Sequence, residues 1–273
     1  MRLKDKVAFI TGATSGIGAV MARRFAEQGA RVVLAARRTD KGEAVVEEIR
    51  AAGGQAAFHR MDQSSESDVA ASIDFAVSKF GTLNVLVNNA GPVDLLQSGT
   101  DRLAHELPTE GFDQIVKVTL YGPFWCCKHA LPHMIKAGGG SIVNISSIAA
   151  VTGLPMVPAY SAAKGGLSAL TRQLAFDYGR YNIRANAIIT GLIVHEGSGG
   201  QVDTPEKYKA YRVRHLTRLG VPDDVANAAI YLASDESEFV TGSEINVEGG
   251  VLVKSRPDTE LIDGAVAKGK APK

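Results

Sequence analysis

Tyr160 and Lys164 stand four residues apart in the run Tyr160-Ser161-Ala162-Ala163-Lys164. On a helix that spacing places both side chains on one face, one turn from each other. A phenol ordinarily ionises at a pH of about 10. An ammonium beside it favours the phenolate and draws that value down, which suits proton transfer at cellular pH. Of the seven tyrosines, Tyr160 alone has a lysine four positions on. By itself the spacing is equally an accidental pair on a surface helix, so the rest of the chain must choose.

A second set of residues suits a phosphate-bearing ligand. Thr11-Gly12-Ala13-Thr14-Ser15-Gly16-Ile17-Gly18 follows an apolar run and precedes a helix-like segment. Glycines allow a tight turn and a close approach of backbone to a pyrophosphate, whose charge a helix N-terminus favours. The spacing Gly-x-x-x-Gly-x-Gly departs from the common Gly-x-Gly-x-x-Gly fingerprint, and a plain strand-to-helix turn is the competing reading. The second apolar run ends Leu34-Ala35-Ala36-Arg37-Arg38, with no acid to hold the ribose 2′-hydroxyl of NAD. An arginine there accommodates the 2′-phosphate of NADP. NADP is therefore the expected cofactor, NAD the alternative, and a solvated basic turn the bland reading. Asp62-Gln63 follows a third run, placed either to reach an adenine edge or to cap a turn, and Ser64 or Ser65 suits the N-cap of the next helix. Asn88-Asn89-Ala90-Gly91 suits either a structural loop or cofactor contact. Ser146 and Ser147 close a further run. A hydroxyl there either donates to a substrate oxygen or caps a turn, and no neighbouring histidine makes a nucleophile pair.

These groups need a scaffold. Short runs rich in valine and isoleucine recur at 7–10, 31–36, 85–87, 142–145, 183–189 and 245–247, with 56–60 a weaker member. They lack strict alternation, as strands covered on both faces of a parallel sheet do. Helix-like segments at 17–28, 40–52, 66–80, 109–137, 158–180 and 222–234 lie between them. The alternation predicts an α/β fold with a doubly wound parallel sheet and right-handed crossovers. It forms a single domain over residues 1–253, followed by a tail over 254–273. Ligands of such sheets bind beyond the carboxyl ends of the strands, where the glycine turn, Arg37, Asp62, Asn89 and Ser147 all fall.

Composition excludes some classes. The 273 residues are 45% hydrophobic and 22% charged, enough for a full core. A net charge of +1 gives no electrostatic reason for a nucleic-acid partner. No run of eighteen apolar residues spans a membrane, and the first six residues lack the features of a secretory signal. Cys126 and Cys127 are adjacent, so they cannot staple distant segments, and they are too few for a metal cage. They read as buried small apolar residues; no metal is expected, and a cytoplasmic, reducing compartment fits.

Taken together, Thr11-Gly12-x-x-x-Gly16-x-Gly18, Asn88-Asn89-Ala90-Gly91, Ser147 and Tyr160-x-x-x-Lys164 resemble the short-chain dehydrogenase/reductase family. The thirteen-residue separation of Ser147 from Tyr160 and the later Arg218-Leu219-Gly220 and Val247-Glu248-Gly249-Gly250 agree with it. The resemblance covers residues 5 to about 252. It implies a seven-stranded Rossmann-like sheet in the order 3-2-1-4-5-6-7. It also implies hydride transfer between NADP(H) and a secondary alcohol or ketone, and a homotetramer built through the helices at 109–137 and 158–180. Tyr160 would be the acid in reduction and the base in oxidation. Ser147 would bond the substrate oxygen, and Lys164 would lower the tyrosine pKa and hold the nicotinamide ribose. Cofactor contact is implied for Gly12, Ser15, Gly16, Ile17, Gly18, Arg37, Asp62, Gln63, Asn89, Gly91, Tyr160, Lys164, Gly191 and Ile193.

Three positions depart from the family pattern. Thr119 stands where relatives carry an asparagine that holds a relay water behind the lysine; its hydroxyl is shorter. Thr190 replaces a proline, which should leave its loop less constrained. His195 replaces a threonine that often meets the cofactor; contact with substrate, with cofactor, or with neither stays open. The glycine-rich run 195–201 and a positively charged stretch at 205–216 form the expected lid, with 94–105 beside the cleft and Met156 and Val157 as an apolar wall. Glu260-Leu261-Ile262-Asp263 is a candidate subunit contact. The competing class is a nucleotide-binding protein without redox turnover, which the intact Ser147, Tyr160 and Lys164 disfavour.

Overall fold

Val7 and Phe9 point into one core of the molecule, Ala8 and Ile10 into another, and none of the four has exposed surface. That two-sided burial is the reason the strand runs do not alternate between apolar and polar residues. Each large side chain so buried contributes about 1.5–3 kcal/mol. The computed structural model describes residues 1–195 and 202–253. The tail beyond Val253, with the candidate contact at 260–263, and most of the glycine-rich run 195–201 lie outside the described residues.

Seven parallel strands form one sheet in the order β3-β2-β1-β4-β5-β6-β7. They are β1 (Val7–Thr11), β2 (Arg31–Ala36), β3 (Gln55–Arg60), β4 (Val85–Asn88), β5 (Gly140–Ser147), β6 (Ile183–Thr190) and β7 (Glu244–Val247). Helices α1 (Gly16–Glu27), α2 (Thr39–Ala51) and α9 (Pro222–Ala233) pack on one face. Helices α3 (Glu66–Phe80), α6 (Gly122–Lys136) and α7 (Pro158–Tyr178) pack on the other. The order reverses between β1 and β4, so a crevice opens there beyond the strand ends.

Three details differ from the sequence expectation. The segment 109–137 is not one regular helix: α5 (Thr109–Val116) and α6 are joined by a π-helical turn, Lys117–Tyr121. Pro123 has no N–H to return to the carbonyl four residues back, so the helix widens at that place. β5 ends on Ser146 and Ser147, as the sequence reading has it. A short helix, α4 (Val93–Gln97), occupies part of the loop expected at 94–105. The lid helix α8 (Pro205–Arg212) is shorter than the stretch 205–216. Cys126 and Cys127 are buried in α6 as free thiols, and burial pushes Cys127 up to about 12, which leaves it inert. Among the described residues no helix is long and apolar enough to cross a membrane, and no group of side chains could hold a metal ion.

Candidate active site

The crevice is a cavity of about 920 Å³ at the carboxyl ends of the strands. It is lined by Gly12, Ser15, Gly16, Ile17 and Gly18 from the first turn, Arg37, Asp62, Gln63, Asn89 and Gly91 from later strand ends, and Tyr160 and Lys164 from α7. The helix α1 starts at this cavity. The Ser15 side chain does not cap it, and its first turn carries no acid. Backbone N–H groups at such an end are suited to an anion. Gly16 sits at φ +52°, and a side chain there would meet the His195 ring at 2.7 Å. A side chain at Gly18 would run into the Gly12 carbonyl and the Asn89 amide. This cradle leaves room for a diphosphate where any larger residue would fill it, so the site fits a dinucleotide.

The two arginines behave differently. Arg37 pairs with Asp94 in the first turn of α4, both well exposed. Arg38 donates to Ser15 Oγ at 2.7 Å and to Thr14 Oγ1 at 3.2 Å, so it reaches the glycine turn itself. The sequence marked the pair of arginines; Arg38's hold on the turn became visible only with the loop folded.

Asp62 and Gln63 are engaged with the protein. Asp62 Oδ1 accepts from Ser64 N and Ser64 Oγ. Partial burial works against the carboxylate, but the Ser64 bonds and the charges of Arg37 and Arg60 hold it below the usual range. Gln63 is buried and donates to the Val118 carbonyl at 2.9 Å, tying the β3 end to the π-helical turn. Ser65 is the N-cap of α3 and accepts from Asp68 N. Asn89 braces the glycine turn by donating to the Thr11 carbonyl at 2.8 Å. Its neighbour Asn88 starts a buried ladder: its amide donates to Asn144 Oδ1, and Asn144 donates to Thr171 Oγ1, both at 2.8 Å.

Ser147, Tyr160 and Lys164 come together from β5 and α7. The Ser147 hydroxyl lies close enough to the Tyr160 phenol to favour its ionised form. Lys164 is 4% exposed and donates from Nζ to the Ile145 carbonyl at 2.6 Å. Its Nζ lies 5.6 Å from the centre of the Tyr160 ring. The phenol pKa is not lowered overall, contrary to what the tyrosine–lysine pair led us to expect. Burial pushes the Tyr160 phenol up, and the Ser147 hydroxyl pulls it only part of the way back. Burial also draws Lys164 down to about 8, so the same desolvation that raises the phenol brings the loss of the ammonium's proton closer to neutral pH.

Thr119 lies in the π-helical turn, fully buried, and its hydroxyl has no hydrogen-bond partner among the described residues. It does not line the cavity. Gly191 and Ile193 are likewise absent from the cavity wall: Gly191 packs against the Glu248 backbone, and Ile193 is buried against Gly220. Thr190 does not loosen its surroundings as expected. It pairs with Ser147 across the sheet and donates to the Ser146 carbonyl at 2.9 Å, which replaces the restraint of a proline ring. His195 lies at the cavity, half-buried against Gly16, and burial lowers its pKa. A residue the sequence did not single out, Asp101, is buried beneath the first turn of α7. The signal was present as an acid within the loop beside the cleft, but nothing local said where it points.

A family model described as enoyl-(acyl carrier protein) reductase matches residues 12–252. The chain belongs to the short-chain dehydrogenase/reductase family. As a short-chain dehydrogenase it is an oxidoreductase that uses a nicotinamide cofactor. The short-chain dehydrogenase is 40% identical over 269 residues to an uncharacterized oxidoreductase, YxbG, of Bacillus subtilis, covering 96% of each chain. It is 36% identical over 258 residues to cyclohexanol dehydrogenase of an Acinetobacter species, covering 93% of this chain and 97% of the relative. Its fold matches the structure of a 7α-hydroxysteroid dehydrogenase complexed with NADH and 7-oxo glycochenodeoxycholic acid. That match has a TM-score of 0.84 and 38% identity, and covers 91% of this chain and 95% of the other.

Proposed function

We propose that this short-chain dehydrogenase transfers a hydride between NADP(H) and a secondary alcohol or ketone, with Tyr160 as the general acid or base. The observation that carries this reading is the meeting of Ser147, Tyr160 and Lys164 beside the cavity that the glycine turn and both arginines line. The nicotinamide, when bound, supplies or accepts the hydride. The α1 N-terminus with Gly12, Ser15, Gly16, Ile17 and Gly18 would hold the diphosphate, and Arg37 and Arg38 the 2′-phosphate. Asp62, Gln63, Asn89 and Gly91 would flank the adenosine half, and Gly191 and Ile193 would border the nicotinamide through their backbone. Tyr160 and Lys164 would hold the ribose.

The chain's own groups account for the proton. Ser147 donates to the substrate oxygen, and Tyr160 passes its phenolic proton to that oxygen during reduction. Burial keeps the phenol protonated at neutral pH, the form that reduction requires. Lys164 carries its charge below a pH of about 8 and stabilises the negative charge that gathers on the phenol oxygen. Thr119 is the proposed relay position behind Lys164, its buried hydroxyl available to hold a water.

NAD(H) is the second reading, favoured by the Asp94 carboxylate that already engages Arg37 and by the NADH in the similar steroid dehydrogenase. We also propose a homotetramer through α5, α6 and α7, where Phe112, Phe124 and Phe176 are exposed; light scattering on the eluting protein checks it. A cytoplasmic placement agrees with the two free cysteines. The functional test is a panel of secondary alcohols and ketones followed by the absorbance of the reduced nicotinamide, run with both cofactors. Turnover that disappears in Tyr160→Phe is expected. Bound cofactor with no Tyr160-dependent turnover across the panel would overturn the reading.

A further inference from the structure

We propose that Asp101 is a positioning residue for Tyr160: its buried carboxylate serves as the missing N-cap of α7 and fixes the turn that carries the phenol. The inference rests on the role proposed for Tyr160.

The first turn of α7 lacks its own cap. Its N-cap residue is Val157, whose side chain cannot accept a hydrogen bond. Pro158 opens the helix and has no N–H to satisfy. The next two N–H groups, of Ala159 and Tyr160, are the ones that an N-cap side chain ordinarily serves. Asp101, 58 and 59 residues earlier in the chain, takes both: Oδ1 accepts from Ala159 N at 3.2 Å and Oδ2 from Tyr160 N at 2.9 Å. The carboxylate is 4% exposed and Ala159 is wholly buried, so water does not compete for these bonds. A negative group at a helix N-terminus is further favoured by the aligned peptide dipoles.

The consequence reaches the chemistry because one of the two N–H groups belongs to Tyr160 itself. Lys164 is held separately, by the Ile145 carbonyl at the end of β5. The two members of the pair are therefore anchored by different elements. Asp101 lies between α4 and α5, in the loop beside the cleft, so that loop sets the tyrosine while the sheet sets the lysine. Without the carboxylate, the first turn of α7 has one buried and one part-buried donor to satisfy and a reason to shift. A shift of about 1 Å in a reacting group costs on the order of a hundredfold in rate.

The test compares Asp101→Ala, Asp101→Asn and a control, Ile73→Val, which trims the core under α3 away from α7. Three quantities are read: kcat and KM for hydride transfer, cofactor affinity by calorimetry, and amide hydrogen exchange of the peptide spanning 157–164. Asp101→Ala should lose about tenfold to a hundredfold in kcat, keep its cofactor affinity within about twofold, and exchange faster in the first turn of α7. Asp101→Asn keeps one acceptor oxygen and should fall between alanine and the native residue; it also serves if the alanine variant does not fold. A kcat within about twofold of the native enzyme in folded Asp101→Ala, or an Asp101→Asn kcat indistinguishable from native where the alanine variant does not fold, overturns the proposal. So does an equal kcat loss in Ile73→Val. If the native protein transfers no hydride across the panel, that counts against the proposed function, and exchange decides the anchoring: unchanged exchange at 157–164 in Asp101→Ala overturns it.

Discussion

The two ends of the cavity are held in opposite ways. At the adenosine end the charged groups are exposed: Arg37 pairs with Asp94, and Arg38 rests on Ser15 and Thr14. At the proposed catalytic end Ser147, Lys164 and Asp101 are buried and Tyr160 is half-buried: Lys164 bonds a strand carbonyl, Tyr160 meets Ser147, and Asp101 holds the tyrosine backbone. An exposed ion pair is worth only about 0–1 kcal/mol, so its partners exchange easily for a ligand's charge. A buried polar group that loses its partner costs about 1–3 kcal/mol, so its geometry is kept. On the proposed reading, the comparison puts selectivity for the cofactor where rearrangement costs little and proton transfer where it costs much.

The largest effect should come from the buried end. Tyr160→Phe removes the transferable proton and should lower kcat by about 10²–10⁴-fold, while the loss of its proposed ribose contact weakens cofactor affinity far less. Steady-state absorbance and calorimetry on the same sample check both halves. Because the phenol is raised, alcohol oxidation by the native enzyme should increase with pH through the alkaline range, as the base form becomes available. A flat profile would break the assignment.

Lys164 offers a stability test of the same burial. The lysine keeps its proton to about 10.5 when unfolded but only to about 8 when folded. Between those values the unfolded chain binds more protons, so this group's contribution makes the fold more stable as pH rises. The shift corresponds to roughly 3 kcal/mol. Denaturant titrations at either side of the window should show that rise in the native protein and a weaker one in Lys164→Met.

At the exposed end the effects are smaller and selective. Arg37→Asp should weaken NADP binding by about ten- to a hundredfold and NAD binding far less, since the proposed attraction to the 2′-phosphate is exchanged for a repulsion. Equal losses for both cofactors would remove the arginine argument. The smallest change belongs to Asp94→Asn, which frees Arg37. It should tighten NADP binding by a few fold, in keeping with an exposed pair, and leave NAD unchanged, as read by calorimetry.

Much of this molecule was legible in its residues. β2 and α3 fall on the segments expected at 31–36 and 66–80, because valine-rich runs and a Ser65 cap are local signals. The strand order was an implication of the family resemblance, and the sheet has it. The helix at 109–137 was misread as unbroken, because a proline two residues into its second half reads as an ordinary helix start. Thr190 was expected to loosen its loop, and only the pairing of β5 with β6 reveals the carbonyl that holds it.

The sequence by itself determined the parts: a glycine turn before α1, two arginines after β2, and a tyrosine and lysine one helical turn apart. Those are short-range facts, fixed by spacing and by the period of each element. The tertiary structure decided the electrostatics and the anchoring. Whether the phenol pKa rises or falls depends on how deeply α7 is buried, which no spacing records. Asp101 reaches Tyr160 across 59 residues, a distance that only the packed loop closes.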